Sequence, residues 1–305
     1  MHDVFQKRVA LITGKGGVGR TTITAALARA AAAEGQRVLV TEIAEPDGDY
    51  TPLARLFGRD NLPVEPESLE PGIDGCVLWY RRGHEHFFER VIPVRAVVRA
   101  AMRSSALRKL LDSAPSFREM GVFNHMFHLA ELRRDDGEYQ YDLLVIDMPA
   151  SGHTLGLTGL RRRLLELMPT GPIAQVLDDG RAYFVDPEVT GAYIVTLPET
   201  LPVTECLELI EGLDEHGTPV GGIIVNRVLE DPFTPEERRA LQPHAEKRLY
   251  GMARFLGIPN SARALETLRT STDQPIHEVP EYPLQESALI DAIAKVLGDP
   301  TEAAA

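Results

Sequence analysis

Short apolar runs alternate with longer amphipathic segments along the chain. The runs are rich in Val, Ile and Leu, and several are nearly continuous, as in parallel strands that are covered on both faces. The segments between them are long enough to form crossover helices. The pattern therefore predicts an α/β fold with a doubly wound, mostly parallel sheet and helices on both faces. The predicted strands are residues 8–14, 37–43, 75–81, 141–148, 191–197 and 220–226.

Two helical stretches lie between these strands. The alanine-rich sequence "TTITAALARAAAAEG" predicts a strong helix that ends at Gly35, a residue type common just after a helix. A longer helical region covers about 84–134, between the second strand and the strand at 141–148. We expect residues 1–298 to form a single domain and residues 299–305 to form a flexible tail.

The sequence "LITGKGGVGRTT" joins the first strand to the first helix. It follows the phosphate-loop pattern G-x-x-x-x-G-K-[ST] through Gly14, Gly19 and the hydroxyl of Thr21. Arg20 occupies the lysine position of that pattern, and a lysine stands earlier, at Lys15. Backbone N–H groups of a glycine-rich turn, together with a helix N-terminus, attract phosphate. The sequence therefore predicts a phosphate-binding loop at this turn.

A second motif, "YDLLVIDMPASGHTLGL", ends an apolar strand in Asp147. A carboxylate at this position can hold Mg²⁺ directly or through water, as in a Walker B strand. Gly152 follows, where a backbone N–H could meet a γ-phosphate. Many buried strands end in Asp, so the motif becomes informative only as a partner of the upstream loop.

Five segments, read together, resemble one family of nucleotide-binding proteins. "GKGGVGRTT" resembles the deviant Walker A loop, K-G-G-x-G-K-[ST], of the MinD, ParA and arsenite-pump ATPases. "DMPASGHTLGL" resembles the D-T-A-P-T-G-H-T switch segment of arsenite-pump ATPases and of their relatives that deliver tail-anchored proteins. "YIVTLPETLPVTECLELIEGL", "GGIIVNRV" and "HEVPEYPLQESAL" resemble that family's later strand and helix, its base-recognition strand and its C-terminal proline-containing loop. The matches run from residue 8 to about residue 290, and they imply a P-loop NTPase fold.

The resemblance also implies roles for individual residues. Lys15 would reach the nucleotide phosphates of a partner subunit, Thr22 would touch the α-phosphate, and Gly152 with His153 would belong to the hydrolysis-sensing switch. The implied catalytic residues are Lys15, Arg20, Asp49 and Asp147, and the implied metal ligands are Thr21 and Asp147. The implied nucleotide-binding residues are Gly14, Lys15, Gly16, Gly17, Val18, Gly19, Arg20, Thr21, Thr22, Gly152, Asn226, which would bind adenine, and Pro280.

The molecule implied by this resemblance is an ATPase switch that uses ATP and Mg²⁺. It would be a homodimer, or a heterodimer with a related ATPase, and would signal to or energise an unidentified protein partner. Two nucleotide-dependent states of a paired interface would let hydrolysis decide which state the partner encounters.

The chain departs from the family pattern at three places. Arg20 is larger than lysine, planar and permanently charged, so we expect slow hydrolysis. After the second strand, "TEIAEPDGDYTPLARLFG" lacks the D-P-A segment; Asp47 and Asp49 remain alternative candidates for orienting water, and Glu42 is a candidate replacement for an Asp. No C-x-x-C occurs, and only a short region follows the switch. Arsenite transport and tail-anchor insertion are therefore not favoured.

Two other functions remain as alternatives to the ATPase switch. Arg20 and the missing D-P-A segment favour a nucleotide-binding regulatory subunit that hydrolyses little and pairs with an active paralogue. A positioning ATPase of the MinD or ParA kind ranks third. The C-terminal sequence "IDAIAKVLGDPTEAAA" lacks the basic amphipathic character of a membrane-targeting helix.

Composition supports a soluble, cytoplasmic protein that does not bind nucleic acid nonspecifically or insert into a membrane. The net charge is −13 and the isoelectric point is near 5.2, which disfavours nonspecific nucleic-acid binding. Cys76 and Cys206 are the only cysteines, so a disulfide framework is not expected. No apolar run reaches the ~18 residues of a membrane span.

Four histidines could suggest a metal site in the predicted helical region. His84 and His86 form H-x-H, and His125 and His128 are three residues apart on a predicted helix. No complementary set of ligands is evident in the sequence. We therefore expect these histidines to serve as ordinary surface or core residues.

Overall fold

The fold is described by a computed structural model of the chain. The candidate residues Asp47, Asp49, Gly152 and His153 lie outside the described residues. The structure describes residues 2–44, 51–92, 94–113, 115–149, 171–244 and 251–299.

Eight strands form one twisted sheet in the described part of the chain. Their order is β3-β4-β2-β5-β1-β6-β7-β8, and every neighbouring pair is parallel except β3 and β4. The chain moves outward from β1 in both directions, so the prediction of a doubly wound, mostly parallel sheet is confirmed. The strands are β1 (Val9–Thr13), β2 (Val38–Ile43), β3 (Glu67–Glu70), β4 (Ile73–Leu78), β5 (Leu143–Asp147), β6 (Thr190–Thr196), β7 (Val220–Val228) and β8 (Ile276–Pro280).

Helices cover both faces of the sheet. The described helices are α1 (Arg20–Ala33), α2 (Pro52–Leu56), α3 (Tyr80–Val91), α4 (Arg95–Arg103), α5 (Ser105–Ser113), α6 (Pro115–Ala130), α7 (Pro172–Val185), α8 (Thr200–Glu215), α9 (Pro235–Leu241), α10 (Met252–Ser271) and α11 (Glu286–Gly298). Short 3₁₀ turns occur at His2–Gln6 and Gln242–His244.

The central strands divide the apolar core into two layers. Along β1, Ala10 and Ile12 pack on one face with α1, α2 and α11, whereas Val9 and Leu11 pack on the other with α6, α8 and α10. Successive side chains of a strand point to opposite faces. Strands buried on both faces therefore need continuous apolar runs, which explains the pattern seen in the sequence.

The predicted helical region is a group of four helices. They run from Tyr80 to Ala130, which shifts the region about four residues toward the N-terminus of the predicted 84–134. The helices α3 and α6 pack closely where Gly83 meets Gly121. A Cβ atom on Gly83 would overlap the carbonyl of Gly121. Glycine at both positions therefore allows the two backbones to approach.

Two edge strands were absent from the prediction. The segment "IHEVP" forms β8 beside β7, although the resemblance placed it in a loop. At the opposite edge, the polar sequence "ESLE" forms β3 and turns back through Gly72 into β4. Edge strands are short and polar in many proteins, and such sequences carry no continuous apolar run.

Candidate functional site

The glycine-rich loop lies at the edge of the sheet where the parallel strands end. Gly14 follows β1 with φ 145°, and a Cβ atom there would overlap the carbonyl oxygen of Val195 on β6. Gly17 has φ 84°, and Gly19 has φ 94° as the residue before α1. These left-handed conformations favour glycine. Gly16 and Gly17 are exposed, and Cβ atoms there would meet no atom of the described residues within 4 Å. This side of the loop is therefore open in the described structure.

Thr21 and Asp147 meet at the base of this loop. The Thr21 hydroxyl donates a hydrogen bond to Asp147 Oδ2 at 2.6 Å. Burial raises the pKa of Asp147, opposed by the Thr21 hydrogen bond and by the nearby charge of Arg20. Asp147 Oδ1 is buried and has no hydrogen-bond partner in the described part of the chain. An oxygen of this kind suits a hard divalent cation such as Mg²⁺.

Glu42 is a site residue that the sequence analysis noted only as a replacement for an Asp. Its position on β2 pairs in register with Asp147 on β5. Glu42 is 6% exposed. Its Oε2 accepts a hydrogen bond from the Leu53 backbone N–H at 3.3 Å, whereas its Oε1 has no hydrogen-bond partner within the ranges described. Burial, with a contribution from the charge of Asp147, raises the pKa of Glu42 to about 7. Because both acids stand at the ends of predicted parallel strands, the sequence could have placed Glu42 and Asp147 at the same edge of the sheet.

Arg20 contacts the main chain that follows Asp147. Its guanidinium donates a hydrogen bond to the carbonyl oxygen of Met148. The bond joins the first residue of α1 to the end of β5. Arg20 therefore links the phosphate loop to the segment that leads toward the predicted switch.

Lys15 is directed to α8 and not to the acids at the base of the loop. Its Nζ lies 3.6 Å from Glu205 Oε1, and the lysine side chain is 38% exposed. An ion pair at this exposure contributes only about 0–1 kcal/mol to stability. Lys15 can therefore leave Glu205 at low cost for a stronger anionic partner.

Asn226 supports the loop from β7. Its Nδ2 donates a hydrogen bond to the Val18 carbonyl at 2.9 Å, and its Oδ1 accepts one from the Arg227 backbone N–H at 2.9 Å. A Cβ atom on Gly19 would overlap the Asn226 amide, so glycine is required there for a second reason. Pro280 ends β8, the strand next to β7.

The four histidines lie in the packing between α3 and α6. His84, His86 and His125 are buried, and His86 stacks on His128 with ring centroids 3.5 Å apart. His125 Nδ1 accepts a hydrogen bond from the Trp79 backbone N–H. No group of three or more His, Cys, Asp or Glu residues in the described ranges is arranged to hold a metal ion.

A phosphate loop between β1 and α1, with a Thr–Asp pair at its base, defines the class of P-loop nucleotide-binding α/β proteins. The profile of the anion-transporting ATPase family matches residues 7–171 and 170–250. The chain belongs to this family, so the predicted kinship with arsenite-pump ATPases is confirmed. Among the part of the chain described, no helix is long and apolar enough to cross a membrane.

Individual relatives carry related names. The chain is 29% identical over 236 residues to the ATPase BagA of Mycobacterium tuberculosis, covering 75% of this chain and 68% of that protein. It is 26% identical over 263 residues to an Aquifex aeolicus protein provisionally named an arsenical pump-driving ATPase, covering 75% and 82%. It is 22% identical over 260 residues to the ATPase GET3 of Lachancea thermotolerans, covering 72% and 71%.

Proposed function

We propose that this chain is a dimeric ATPase switch that hydrolyses ATP slowly and signals to a protein partner. One observation carries the proposal. The Thr21 hydroxyl donates a hydrogen bond to Asp147 beneath an open glycine loop, and two buried carboxylate oxygens, Asp147 Oδ1 and Glu42 Oε1, have no hydrogen-bond partner among the residues that the structure describes. Buried polar atoms without partners are costly, and such atoms in a family of ATPases suit a bound cation and water.

The triphosphate of ATP would bind along the loop from Gly14 to Thr22. Backbone N–H groups of the loop and the N-terminus of α1 would hold the phosphate oxygens. Asn226, beside the loop on β7, and Pro280, at the end of β8, would contact the purine. Asn226 uses one amide hydrogen on Val18, so its second amide hydrogen would remain for the base.

Mg²⁺ fits the donor set formed by the Thr21 hydroxyl and the Asp147 carboxylate. When bound, Mg²⁺ would neutralise charge on the β- and γ-phosphate oxygens. The Thr21–Asp147 hydrogen bond holds both side chains at the required edge of the sheet.

Glu42 would orient or deprotonate the attacking water. Its free Oε1 faces the same buried edge as Asp147, and a pKa near 7 suits proton transfer at neutral pH. Its Oε2 is fixed by the Leu53 N–H, which would keep the carboxylate oriented. Asp49 remains a second candidate for this role.

Dimerisation would bring Lys15 to the nucleotide of the other subunit. The surface around the loop contains the exposed residues Gly16 and Gly17, and α8 nearby presents Leu201, which is 68% exposed. When the subunits associate, Lys15 would leave the Glu205 carboxylate and contact the phosphates of the nucleotide bound to the other subunit. A triphosphate carries more negative charge than one carboxylate and would attract the lysine more strongly. The partner would be a second copy of this chain or a related ATPase.

A second candidate function is a nucleotide-binding regulatory subunit with little hydrolysis. The bond from Arg20 to the Met148 carbonyl favours it, because the guanidinium would have to leave this carbonyl to reach the phosphates. Under this alternative, the chain would pair with an active paralogue.

Steady-state phosphate release and calorimetry with Mg–ATP together test the proposal. The purified chain should bind Mg–ATP and release phosphate above background, and Thr21→Ala should lower both. Tight binding with background release would support the regulatory alternative. An absence of binding heat would contradict both functions.

A further inference from the structure

A groove of about 720 Å³ opens between α8 and α10, at the carboxyl ends of β6 and β7. Both helices pack on the face of the sheet opposite to α1. None of the groove-lining residues belongs to the phosphate loop or to the other residues predicted to bind nucleotide. Its apolar lining is formed by Leu197, Val203, Leu207, Leu229 and Ala264.

A bulge in β7 directs an arginine to this groove. Between the paired positions Val225↔Glu278 and Val228↔Pro280, β7 has two residues where β8 has one. The second of the two is Arg227, with φ 58°. A non-glycine residue in this conformation costs about 1–3 kcal/mol and occurs mostly at functional sites, and bulges often redirect a side chain.

The groove carries positive charge that the described residues do not neutralise. The Arg227 guanidinium has no hydrogen-bond or ion-pair partner within the described ranges, and Arg263 bonds only the Pro259 carbonyl and the Asn260 side chain. Of the two described acids that line the groove, Glu281 is already paired with Arg254 at 2.6 Å. Among the described residues, Glu199 is then the single lining carboxylate that could offset two guanidinium groups.

We propose that this groove is a binding site for a small amphiphilic anion. An apolar body would lie on the leucine-rich lining, and a phosphate or carboxylate headgroup would bind Arg227 and Arg263 through their guanidinium forks. The volume falls within the range of about 300–1,000 Å³ that is typical of small-molecule sites. The site does not depend on the proposed ATPase activity.

Calorimetry on the nucleotide-free full chain tests the site with three probes: octyl phosphate, octanoate and inorganic phosphate. We expect octyl phosphate or octanoate to bind with a Kd below about 1 mM, and inorganic phosphate to bind at least about ten-fold more weakly. The better of the two amphiphiles identifies the headgroup. Arg227→Gln should weaken this binding by about ten-fold or more, through loss of a charge-assisted bond. Arg269→Gln, a change on α10 outside the groove, should leave it unchanged.

Gly257→Leu tests the site by filling the groove with a side chain while leaving α10 folded. A Cβ atom at position 257 would lie 3.6 Å from Leu229 Cδ1, an ordinary contact, so the side chain should fill the groove without backbone displacement. We expect this variant to unfold at a temperature close to the wild type and to lose binding of the amphiphile. Equal binding of inorganic phosphate, undiminished binding by Arg227→Gln, or displacement of the amphiphile by Mg–ATP would each overturn the proposal.

Discussion

Arg20 is the residue at which this chain departs most clearly from the phosphate-loop pattern. Lysine is a compact point charge, whereas the Arg20 guanidinium is bonded to the Met148 carbonyl. We expect Arg20→Lys to raise ATP turnover by about ten-fold, which corresponds to ~1.4 kcal/mol in activation free energy. The rate of phosphate release at saturating Mg–ATP measures this turnover. Arg239→Lys, a change at an exposed arginine, is the control and should leave the rate unchanged. Unchanged or lower turnover would count against this role of Arg20.

The proposed role of the Glu42 carboxylate in activating water can be tested by a single substitution. Glutamine keeps an oxygen for the Leu53 N–H but cannot take a proton from water. We expect Glu42→Gln to lower turnover by about 10²-fold and to leave Mg–ATP affinity nearly unchanged. Single-turnover kinetics and calorimetry separate the two effects, and the exposed Glu236→Gln is the matched control. Normal turnover by Glu42→Gln would leave Asp49 as the candidate for orienting water.

The sequence predicted the positions of some site residues but not the contacts of others. Thr21 and Asp147 were predicted to share a site, and the structure brings their side chains together. The role of Asn226 in supporting Val18 was not predicted, because it depends on a contact between residues 208 positions apart. The pairing of Glu42 with Asp147 was not predicted for a similar reason: it comes from the register of two neighbouring strands and not from a sequence motif.

The packing of α3 against α6 predicts that the folded protein loses stability at acid pH. Burial, with charge from neighbouring histidines and from Arg82 and Arg90, lowers the pKa of His86 to about 2. Burial, with charge from His128 and Arg82, lowers the pKa of His125 to about 3. Both stay neutral in the folded chain at pH values where an unfolded histidine, with a pKa near 6.5, becomes charged. Stability from these two histidines is therefore retained above about pH 6.5 and falls continuously as the pH decreases toward the folded pKa values of about 3 and about 2.

Chemical denaturation at two pH values measures this effect. At about pH 5, each of these two histidines should lower the free energy of unfolding by about 2 kcal/mol relative to neutral pH. His86→Phe keeps a ring to stack on His128 and should make the pH dependence shallower. His244→Gln, a change at an exposed site in the 3₁₀ turn, should leave the pH dependence of stability unchanged. Equal pH dependence in wild type and His86→Phe would contradict this account.

Elements were predicted well where the apolar pattern was continuous. The six predicted strands all occur, because strands buried on both faces cannot be polar. The missed strands, β3 and β8, are the two edges of the sheet. β3 is mostly polar, and the apolar residues of β8 are interrupted by His277 and Glu278, so pairing with β4 and β7 is what makes them strands. Such pairing is a long-range property that a local pattern does not report.

At the scale of the whole molecule, family membership and fold could be predicted, whereas assembly could not. The order of motifs along the chain identified the family, and the sheet follows from burial. The proposed dimer would depend on surface complementarity around Lys15, Gly16 and Leu201, which a periodic pattern of apolar residues does not encode. The proposed two-fold assembly is therefore the part of the account that most needs measurement.

Light scattering of the full chain with saturating Mg²⁺ and a non-hydrolysable ATP analogue tests the central claim most directly. The account predicts a mass twice that of the 33.6 kDa chain when nucleotide is bound. It also predicts at least about ten-fold weaker association for Lys15→Ala, from the loss of a charge-assisted contact to phosphate. Lys7→Ala, which removes a lysine paired with Asp3, should associate like the wild type. A single-chain mass with nucleotide bound, or full association of Lys15→Ala, would contradict the account.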